Sequence, residues 1–478
     1  MTHPDSQVEL AGALTRLLAA VGHRGGVTVE GLRRLSGGAS RETWSFLAVE
    51  PAGDRQALIL QLVRPGLALG GPSLATEDAL LAAARQAGVP VPDVVADAEM
   101  VSAFVGEGRV TAHVGGETLG PRIVRHQRFA AARTVLAGQC ARALAAIHSI
   151  DPAEAPGLEP VDTLGRLRDG LDLVGEARPA FELALRWLAD NRPPPGPVSV
   201  VHGDFRVGNL IVDETGLGAV LDWELAHLGD PLEDLGWLCV RAWRFGGEGE
   251  VGGVAPLAEL LTAYAEATGR GVDPDAVRWW IVAGTLTWGL ICAVQTRRHL
   301  DGHVRSVELA AIGRRVCETE YDLLQLLAPT APEAAEAGDA GPGPSPPART
   351  PEAIHEPDGH GRPTAAELVD AVREHLAEAV APTLSGAAAF QLKVAGNALA
   401  IVARELSEPL ITAATAEVRR SALAGLGVAD EAALAAAIRS GSLDAGPAVV
   451  SVIRPAVVDR VRVANPRWLE GSDRSWIP

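Results

Sequence analysis

Cysteine is scarce in this chain, and the four cysteines are widely separated in the sequence. Four cysteines occur among 478 residues, at Cys140, Cys239, Cys292 and Cys317. They lie far apart and none forms a Cys-x-x-Cys pair, so the sequence indicates neither a disulfide framework nor a zinc site. We expect all four to be small buried hydrophobic residues.

Positive charge and long apolar runs are also in short supply. Lys and Arg number 42 against 60 Asp and Glu, which gives a formal net charge of −18. A surface of this sign repels nucleic acid and anionic membranes, so we expect neither as a partner. The longest apolar run, Trp279–Val294, is interrupted by Gly and Thr and is short for a membrane span, which favours a buried helix. The first residues lack the layout of a secretory signal, so we expect a cytoplasmic protein.

One dense group of polar residues stands between hydrophobic segments. Residues 201–209 read Val-His-Gly-Asp-Phe-Arg-Val-Gly-Asn, with the spacing H-x-D-x-x-x-x-N. A hairpin predicted over Leu210–Leu221, with its turn at Asp213–Gly216, returns the chain to the same place and delivers Asp222 beside Asn209. Phosphoryl transfer needs a carboxylate to orient the attacking hydroxyl and two further oxygen ligands for magnesium. The pattern therefore predicts a kinase-like phosphoryl-transfer site.

The oxygen-bearing residues of this group have distinct predicted roles. Asp204 is the predicted catalytic base or hydroxyl-orienting residue, because a carboxylate there can accept the proton of the attacking hydroxyl. Asn209 and Asp222 are the predicted magnesium ligands, since hard oxygens suit that ion. Glu224 adds a metal contact, either directly or through the other ligands. The bland alternative is that these are ordinary turn and cap residues.

The sequence resembles a known family at six separate places. In chain order the motifs are residues 88–92 (Gly-Val-Pro-Val-Pro), 116–119 (Gly-Glu-Thr-Leu), 145–151 (Ala-Ala-Ile-His-Ser-Ile-Asp), 202–209, 221–224 (Leu-Asp-Trp-Glu) and 229–235 (Gly-Asp-Pro-Leu-Glu-Asp-Leu). Together they resemble the aminoglycoside phosphotransferase-like superfamily, nearest the branch of kinase-like domains fused to certain acyl-CoA dehydrogenases. The resemblance implies an α+β, bilobal, protein-kinase-like fold, with a small antiparallel-sheet lobe and a larger helical lobe. It also implies ATP or GTP and Mg²⁺ as cofactors.

Four more residues near the loop have supporting roles. His202 is expected to hold the loop by hydrogen bonds, a proton-transfer role being the alternative. Arg206 is expected to steady a phosphate or a backbone carbonyl. Asp230 and Asp234 resemble family positions that brace the catalytic loop, and Asp230 before Pro231 is equally typical of a turn.

A glycine-rich segment precedes the second predicted strand. It consists of Ser36, Gly37, Gly38, Ala39 and Ser40. Between two strands, such a segment lets backbone N–H groups approach nucleotide phosphates. Two adjacent glycines are equally typical of a plain hairpin turn. We predict a phosphate-binding loop on its position in the chain.

The third predicted strand departs from the family pattern. The family places a Lys or Arg there, which holds the α- and β-phosphates and pairs with a helix Glu, here Glu77. This chain has Gln61 at that place, which leaves Glu77 without its usual partner. Arg64 lies three residues on, so a regular strand points it to the opposite face unless a bulge before Pro65 turns it inward. We predict that Gln61, Arg64 and Glu77 lie on the nucleotide side of the site.

Periodicity gives a coarse map of the elements. A helix is predicted over residues 7–22 and another over Leu74–Gln86 with Ser73 as its N-cap. Strands are predicted at Val27–Leu35, Thr43–Val49, Ala57–Val63, around Val94, at Val101–Phe104 and at Val110–Val114. Later helices are predicted from the capping box at Thr364–Glu367, over Gly386–Leu406 and over Thr412–Leu423.

These elements predict four segments. They are a sheet-rich nucleotide-binding lobe (1–114), a helical catalytic and acceptor lobe (115–327), an Ala/Pro/Gly-rich flexible linker (328–363) and a C-terminal all-α bundle (364–478). The bundle resembles an uncharacterised helical domain appended to this kinase branch, and a protein partner or self-association is expected to involve it.

The leading hypothesis is an ATP- and magnesium-dependent phosphotransferase that acts on a hydroxyl of a small molecule. The resemblance implies an aminoglycoside-like or a hydroxyacyl-CoA-like acceptor, and its nearer branch favours the second. The candidate acceptor wall, with core packing as the alternative, is Trp237, Arg241, Trp243, Arg244, Trp279, Trp280, Trp288 and Arg298. The rival hypothesis is a catalytically degraded nucleotide-binding or scaffold protein that acts through its C-terminal domain, with Gln61 as the mark of lost catalysis.

Overall fold

Two compact units make up the structure. The computed structural model describes residues 4–22, 26–35, 41–64, 71–329, 364–407 and 413–474. One unit consists of the residues up to Thr163 together with Asn191–Gly284, and the other consists of Leu164–Asp190 and the residues from Thr285 onward. Each is described by itself below.

The described strands all belong to the first unit. Five of them form one antiparallel sheet in the order β1-β2-β3-β5-β4, and the other four form two small two-stranded sheets, β6 with β9 and β7 with β8. Their bounds are β1 Thr28–Arg34, β2 Arg41–Val49, β3 Arg55–Val63, β4 Val94–Ala96, β5 Gly108–Ala112, β6 Ser199–Val201, β7 Leu210–Asp213, β8 Gly216–Val220 and β9 His227–Gly229.

Helices account for most of the remaining described chain. They are α1 Pro4–Ala20, α2 Leu74–Gln86, α3 Ala98–Phe104, α4 Gly120–Arg125, α5 Ala130–His148, α6 Thr163–Val174, α7 Pro179–Asp190, α8 Leu232–Cys239, α9 Leu257–Thr268, α10 Pro274–Leu300, α11 Val307–Ile312, α12 Val316–Leu327, α13 Ala365–His375, α14 Gly386–Ser407, α15 Ala413–Gly425, α16 Glu431–Ser440 and α17 Pro447–Ala464.

Alternation along β2, β3 and β5 gives the five-stranded sheet two different faces. One face carries Trp44, Phe46, Leu58 and Leu60, all buried in a core with the apolar residues of α1. The opposite face carries the residues between them, because successive side chains of a strand point to opposite sides. That second face looks toward α2, and polar residues on it are described with the site.

Local sequence signals explain where several elements begin. Ser73 caps α2 by accepting a hydrogen bond from the Thr76 amide, as predicted. The predicted strand at Val101–Phe104 is wrong, because these residues belong to α3. Asp97 starts that helix by accepting the Met100 amide at 2.9 Å, and side-chain periodicity alone did not reveal the cap.

The second unit has a core shared by helices from distant parts of the chain. Ala180 and Leu183 of α7 and Tyr321 and Leu324 of α12 pack in one cluster with apolar residues of α15, α16 and α17. The compact units therefore do not follow the four segments predicted from the sequence. Of the predicted linker, residues 330–363 lie outside the described part of the chain.

Ion pairs join the same helices across this core. Arg439 of α16 donates from Nη2 to Glu182 of α7 at 2.7 Å. Arg460 of α17 lies 3.4 Å from the fully buried Glu320 of α12. A buried carboxylate left unpaired is costly, so these contacts favour one particular packing of the C-terminal helices on α7 and α12.

Two described helices are long and apolar enough to be considered for membrane crossing. One is α10, and 72% of its apolar window is buried in the structure. The other is the Gly386–Leu406 part of α14, and 6% of its apolar window is buried. Burial inside the protein explains the composition of α10, in line with the buried helix predicted over Trp279–Val294.

Because α7, α12 and α16 share one core, we predict that a cavity made in α16 also destabilises α7 and α12. Ile438→Ala removes a fully buried side chain, which we expect to cost about 2–5 kcal/mol. Hydrogen exchange should then show faster exchange in α7 and α12 as well as in α16. Val418→Ala, at a 71% exposed position of α15, is the matched control and should change little. Faster exchange confined to α15–α17 would contradict a shared core.

Candidate active site

The loop that carries Asp204 depends on a glycine. β6 leads into His202 and Gly203, and a short 3₁₀ turn over Val207–Asn209 ends the loop. Gly203 has a φ of +78°, and a Cβ atom there would lie 2.3 Å from the Leu225 carbonyl oxygen. Only glycine fits this backbone without strain, so the His-Gly-Asp order sets the path of the loop.

The Asp204 carboxylate is held by donors on three sides. Its Oδ1 accepts from Trp237 Nε1 at 2.8 Å and from Arg206 Nε at 2.9 Å. Its Oδ2 accepts from Asn209 Nδ2 at 2.6 Å. The side chain remains 13% exposed. Donors on three sides fix the orientation of the carboxylate before any acceptor arrives.

The hairpin brings Asp222 to the same place, as the sequence predicts. Asn209 Nδ2 also donates to the Asp204 carbonyl at 3.0 Å, which leaves Oδ1 as the side-chain atom for a ligand. The Leu221 amide donates to the Asn209 carbonyl at 2.9 Å. This bond ties the end of the hairpin to the loop, so Asp222 follows directly beside Asn209.

Asp222 is an unusual residue in both backbone and charge. Its φ is +66°, a left-handed conformation that a residue other than glycine adopts at some cost. Burial, Glu224 and Asp204 together raise its pKa to about 7. Burial and two neighbouring carboxylates both disfavour the charged form of Asp222, and a bound cation would favour that form.

Asp222, Glu224 and the amide oxygen of Asn209 are the residues of this chain that suit Mg²⁺. All are hard oxygen donors, and magnesium takes few protein ligands because it keeps waters and phosphate oxygens in its shell. Among the described residues, no three His, Cys, Asp or Glu side chains converge as a closed metal cluster. An open set of two acids and one amide fits a metal that arrives with a nucleotide.

His202 braces the loop rather than facing an acceptor. It is fully buried, its Nδ1 accepts from the Asp204 amide at 3.2 Å, and its Nε2 donates to the Leu221 carbonyl at 3.0 Å. Its ring also packs on Trp223, with centroids 4.7 Å apart. Burial lowers the pKa of His202, which keeps the ring neutral with one donor and one acceptor nitrogen.

Asp234 of α8 anchors the loop from below. Its two carboxylate oxygens accept the amides of His202 at 2.8 Å and Gly203 at 2.9 Å. His148 of α5 lies 3.1 Å away through Nε2 and contacts the Tyr264 hydroxyl through Nδ1 at 2.7 Å. Burial works to raise the pKa of Asp234, but these bonds outweigh it and the pKa is lowered, so the carboxylate stays charged.

Glu77 on α2 is paired, although Gln61 removes the usual partner on β3. The Glu77 side chain is 2% exposed, and each of its carboxylate oxygens contacts a guanidinium, one from Arg41 and the other from Arg109. Arg109 also lies 3.3 Å from Asp78. Gln61 supplies no cation to Glu77, but Arg41 and Arg109 supply two. The sequence pattern did not identify either arginine.

Arg41 links the nucleotide side to the acidic residues. Its Nε lies 3.7 Å from Glu224 Oε2, while its Nη2 contacts Glu77. Its electrostatic partners also include Asp222. Arg41 directly follows the glycine-rich segment and is the first residue of β2. This position is the one signal in the sequence that could have pointed to its role. The predicted phosphate-loop residues Ser36, Gly37, Gly38, Ala39 and Ser40 lie outside the described residues.

Part of the candidate acceptor wall lies at the catalytic loop. The Arg206 guanidinium sits over the Trp243 ring at 4.8 Å, and the rings of Trp237 and Trp243 are 5.4 Å apart. Trp237, Trp243, Trp279 and Trp280 are all buried, which fits the core-packing alternative for these tryptophans. Trp288 and Arg298 belong to the second unit.

Comparison with known proteins identifies the family. Residues 31–280, more than half of the chain, match the phosphotransferase enzyme family, and this range contains the loop, the hairpin and Asp234. The chain belongs to this family. Residues 382–468 match a domain of unknown function, DUF6285. The resemblance seen in the sequence is thereby confirmed.

Relatives with curated names are similar over short segments. The chain is 44% identical over 64 residues to acyl-CoA dehydrogenase family member 10 of Mus musculus, a match of 13% of this chain and 6% of that protein. It is 34% identical over 113 residues to family member 11 of Rattus norvegicus, covering 21% of this chain and 14% of that one. The chain thus spans a small part of each relative.

A solved structure shows the fold of this phosphotransferase. A Ralstonia eutropha protein whose name places it among the aminoglycoside phosphotransferases matches 65% of this chain and 95% of its own, with a TM-score of 0.52 and 23% identity. The five-stranded antiparallel sheet followed by a mostly helical remainder agrees with it. The predicted α+β, kinase-like fold is confirmed.

The brace at Asp234 gives a stability prediction. Asp234→Ala leaves one buried and one partly buried backbone N–H group without their acceptor, at about 1–3 kcal/mol for a fully buried unsatisfied group. We expect a clear fall in the urea midpoint of the transition that unfolds the first unit. Glu214→Gln, which breaks an exposed ion pair with Arg128, should shift stability by less than about 1 kcal/mol. Equal midpoints for the two variants would show that Asp234 does not hold the loop.

Proposed function

We propose that this chain is an ATP- and magnesium-dependent phosphotransferase that moves the γ-phosphoryl group to a hydroxyl of a small molecule. The observation that carries the proposal is the Asp204 carboxylate, oriented by Trp237, Arg206 and Asn209 and only partly exposed. Family membership supports phosphoryl transfer in general. ATP is proposed over GTP, and it is the first nucleotide to test.

Asp204 performs the proton step in this proposal. The acceptor hydroxyl approaches Asp204 and gives its proton to the carboxylate as the acceptor oxygen bonds to the γ-phosphorus. The bond between that phosphorus and the β–γ bridging oxygen breaks, and ADP carries away the electron pair. Trp237 and Arg206 keep Asp204 Oδ1 in place throughout, because they donate to it before the acceptor binds.

Magnesium would be held by Asn209, Asp222 and Glu224. The ion supplies neutralisation of phosphate charge and alignment of the nucleotide. The chain's own contribution is to place these oxygens on one loop and one hairpin end, tied together by the bond from the Leu221 amide to the Asn209 carbonyl. His202 keeps that junction rigid from beneath.

We propose a hydroxyacyl-CoA-like ester as the first acceptor class to test. The supporting observations are the segments similar to acyl-CoA dehydrogenase family members and the Arg206 guanidinium, which is 25% exposed beside Asp204 and suits an anionic part of a ligand. An aminoglycoside-like amino sugar is the second class. The name of the Ralstonia protein and the net charge of −18 support it.

The rival proposal of a degraded, non-catalytic scaffold loses its main support. It rested on Gln61, which removes the usual cation beside Glu77. Arg41 and Arg109 both contact Glu77, so cations from β2 and β5 stand beside that carboxylate although β3 supplies none. A role for the C-terminal helices in partner binding or self-association stands as a separate proposal.

Replacing Asp204 tests the proposed chemistry. Asp204→Asn keeps the shape of the side chain and an acceptor for Trp237, but it cannot take a proton. With ATP, Mg²⁺ and a panel of hydroxyacyl-CoA esters and amino sugars, ADP release should fall by roughly 10²- to 10⁴-fold. Asp213→Asn, in the hairpin turn where Asp213 accepts the amides of Thr215 and Gly216, should keep its rate. Equal turnover in Asp204→Asn and the unmodified chain would contradict the assignment of Asp204 as the group that takes the proton.

Replacing Asp222 tests the metal set. Asp222→Asn removes the charge at a position with a φ of +66°, a conformation that Asn tolerates well. We expect the Mg²⁺ concentration for half-maximal ATP binding to rise by roughly tenfold or more. Asp213→Asn is again the control. Binding of ATP that needs no Mg²⁺, or an unchanged requirement in the variant, would remove Asp222 from the metal site.

A further inference from the structure

We propose that Arg41 is the residue that contacts the α- and β-phosphates of the nucleotide, so that β2 supplies the cation that β3 lacks. The inference rests on the proposed function and deepens it by naming a binding residue. The resemblance places this cation on β3, where the present chain has Gln61. The following observations place a substitute on the neighbouring strand.

Strand register puts Arg41 on the same face as Gln61. In the antiparallel pairing of β2 with β3, Arg41 stands opposite Val63 and Thr43 stands opposite Gln61. Residues opposite each other, and residues two apart on one strand, share a face of a sheet. Arg41 therefore lies two residues along β2 from the position opposite Gln61, on the face that looks toward Glu77.

Arg109 stands on the other side of Gln61, and its contacts suit a structural role. It is the direct cross-strand partner of Gln61 in β5. Its side chain is only 2% exposed and contacts both Glu77 and Asp78. Arg109 thus balances Glu77 from within the sheet, which means that Arg41 is not alone in neutralising that carboxylate.

The Arg41 side chain is 11% exposed, whereas that of Arg109 is 2% exposed, so Arg41 is the more accessible of the two cations. It has Glu77 on one side and Glu224 on the other, the second at 3.7 Å from Nε. Phosphates whose magnesium is held at Asp222 would lie beside Glu224 and so within reach of Arg41. Arg41 is the first residue of β2.

An arginine can contact Glu77 and a phosphate group at the same time. A guanidinium has five N–H donors in a planar fork, so one edge can contact Glu77 while another meets a phosphate oxygen. A lysine ammonium is a single point charge. The chain has one lysine, Lys393 of α14 in the second unit, so an arginine has to supply any cation at this site.

Moving the charge back to β3 is the decisive experiment. The dissociation constants of Mg·ADP and of adenosine are measured by calorimetry for the unmodified chain, Arg41→Gln, and the double variant Arg41→Gln with Gln61→Lys. We expect Arg41→Gln to weaken Mg·ADP binding by roughly 10- to 100-fold and to leave adenosine binding within about twofold. The double variant should regain most of the lost affinity for Mg·ADP.

Arg55→Gln is the matched control, since it removes an exposed arginine of β3 that pairs with Glu30, and it should bind Mg·ADP normally. Equal Mg·ADP affinity in Arg41→Gln and the unmodified chain would overturn the role of Arg41 and leave the proposed function standing. A parallel loss of Mg·ADP and adenosine affinity that Gln61→Lys does not restore would show a structural role and overturn the inference. Failure of the unmodified chain to bind Mg·ADP would overturn the proposed function as well.

Discussion

Concentrated negative charge is the constraint around which this site is built. Burial, with the neighbouring carboxylates of Glu224 and Asp204 adding to it, raises the pKa of Asp222 to about 7. Like charges in a partly buried site repel, so such a group persists only if cations or ordered donors compensate it. Arg206 and Trp237 compensate on the acceptor side, and Arg41 on the nucleotide side. In our account, the Mg²⁺ ion that accompanies the nucleotide supplies the positive charge beside Asp222 and Glu224.

Rigidity in the surrounding framework keeps these charges together. Asp234 accepts the backbone amides of His202 and Gly203. The His202 ring in turn bonds the Leu221 carbonyl at the end of the hairpin, so the loop and the hairpin are held together. Repulsion between the acids would otherwise open the loop. The framework therefore offsets electrostatic strain with buried hydrogen bonds, and the loop is arranged for a ligand before one binds.

Sequence reasoning succeeded where the signal is local. The cap at Ser73, the turn at Asp213 and the capping box at Thr364 each lie within a few residues of what they determine, and the structure has all three. It failed at α3, whose cap at Asp97 was overlooked. It also missed the partners of Glu77, because Arg41 and Arg109 meet that residue only through strand pairing. The core shared by α7, α12 and α15–α17 is equally non-local.

The central claim is that the acids of the loop and hairpin bind a divalent metal together with a nucleotide. Electron paramagnetic resonance with Mn²⁺ in place of Mg²⁺ tests it directly on the full chain. The account predicts that Mn²⁺ and ADP together give a bound-metal spectrum with one Mn²⁺ per chain, and that Asp222→Asn returns the metal to solution. A spectrum at saturating ADP that is the same with and without the protein would contradict the account.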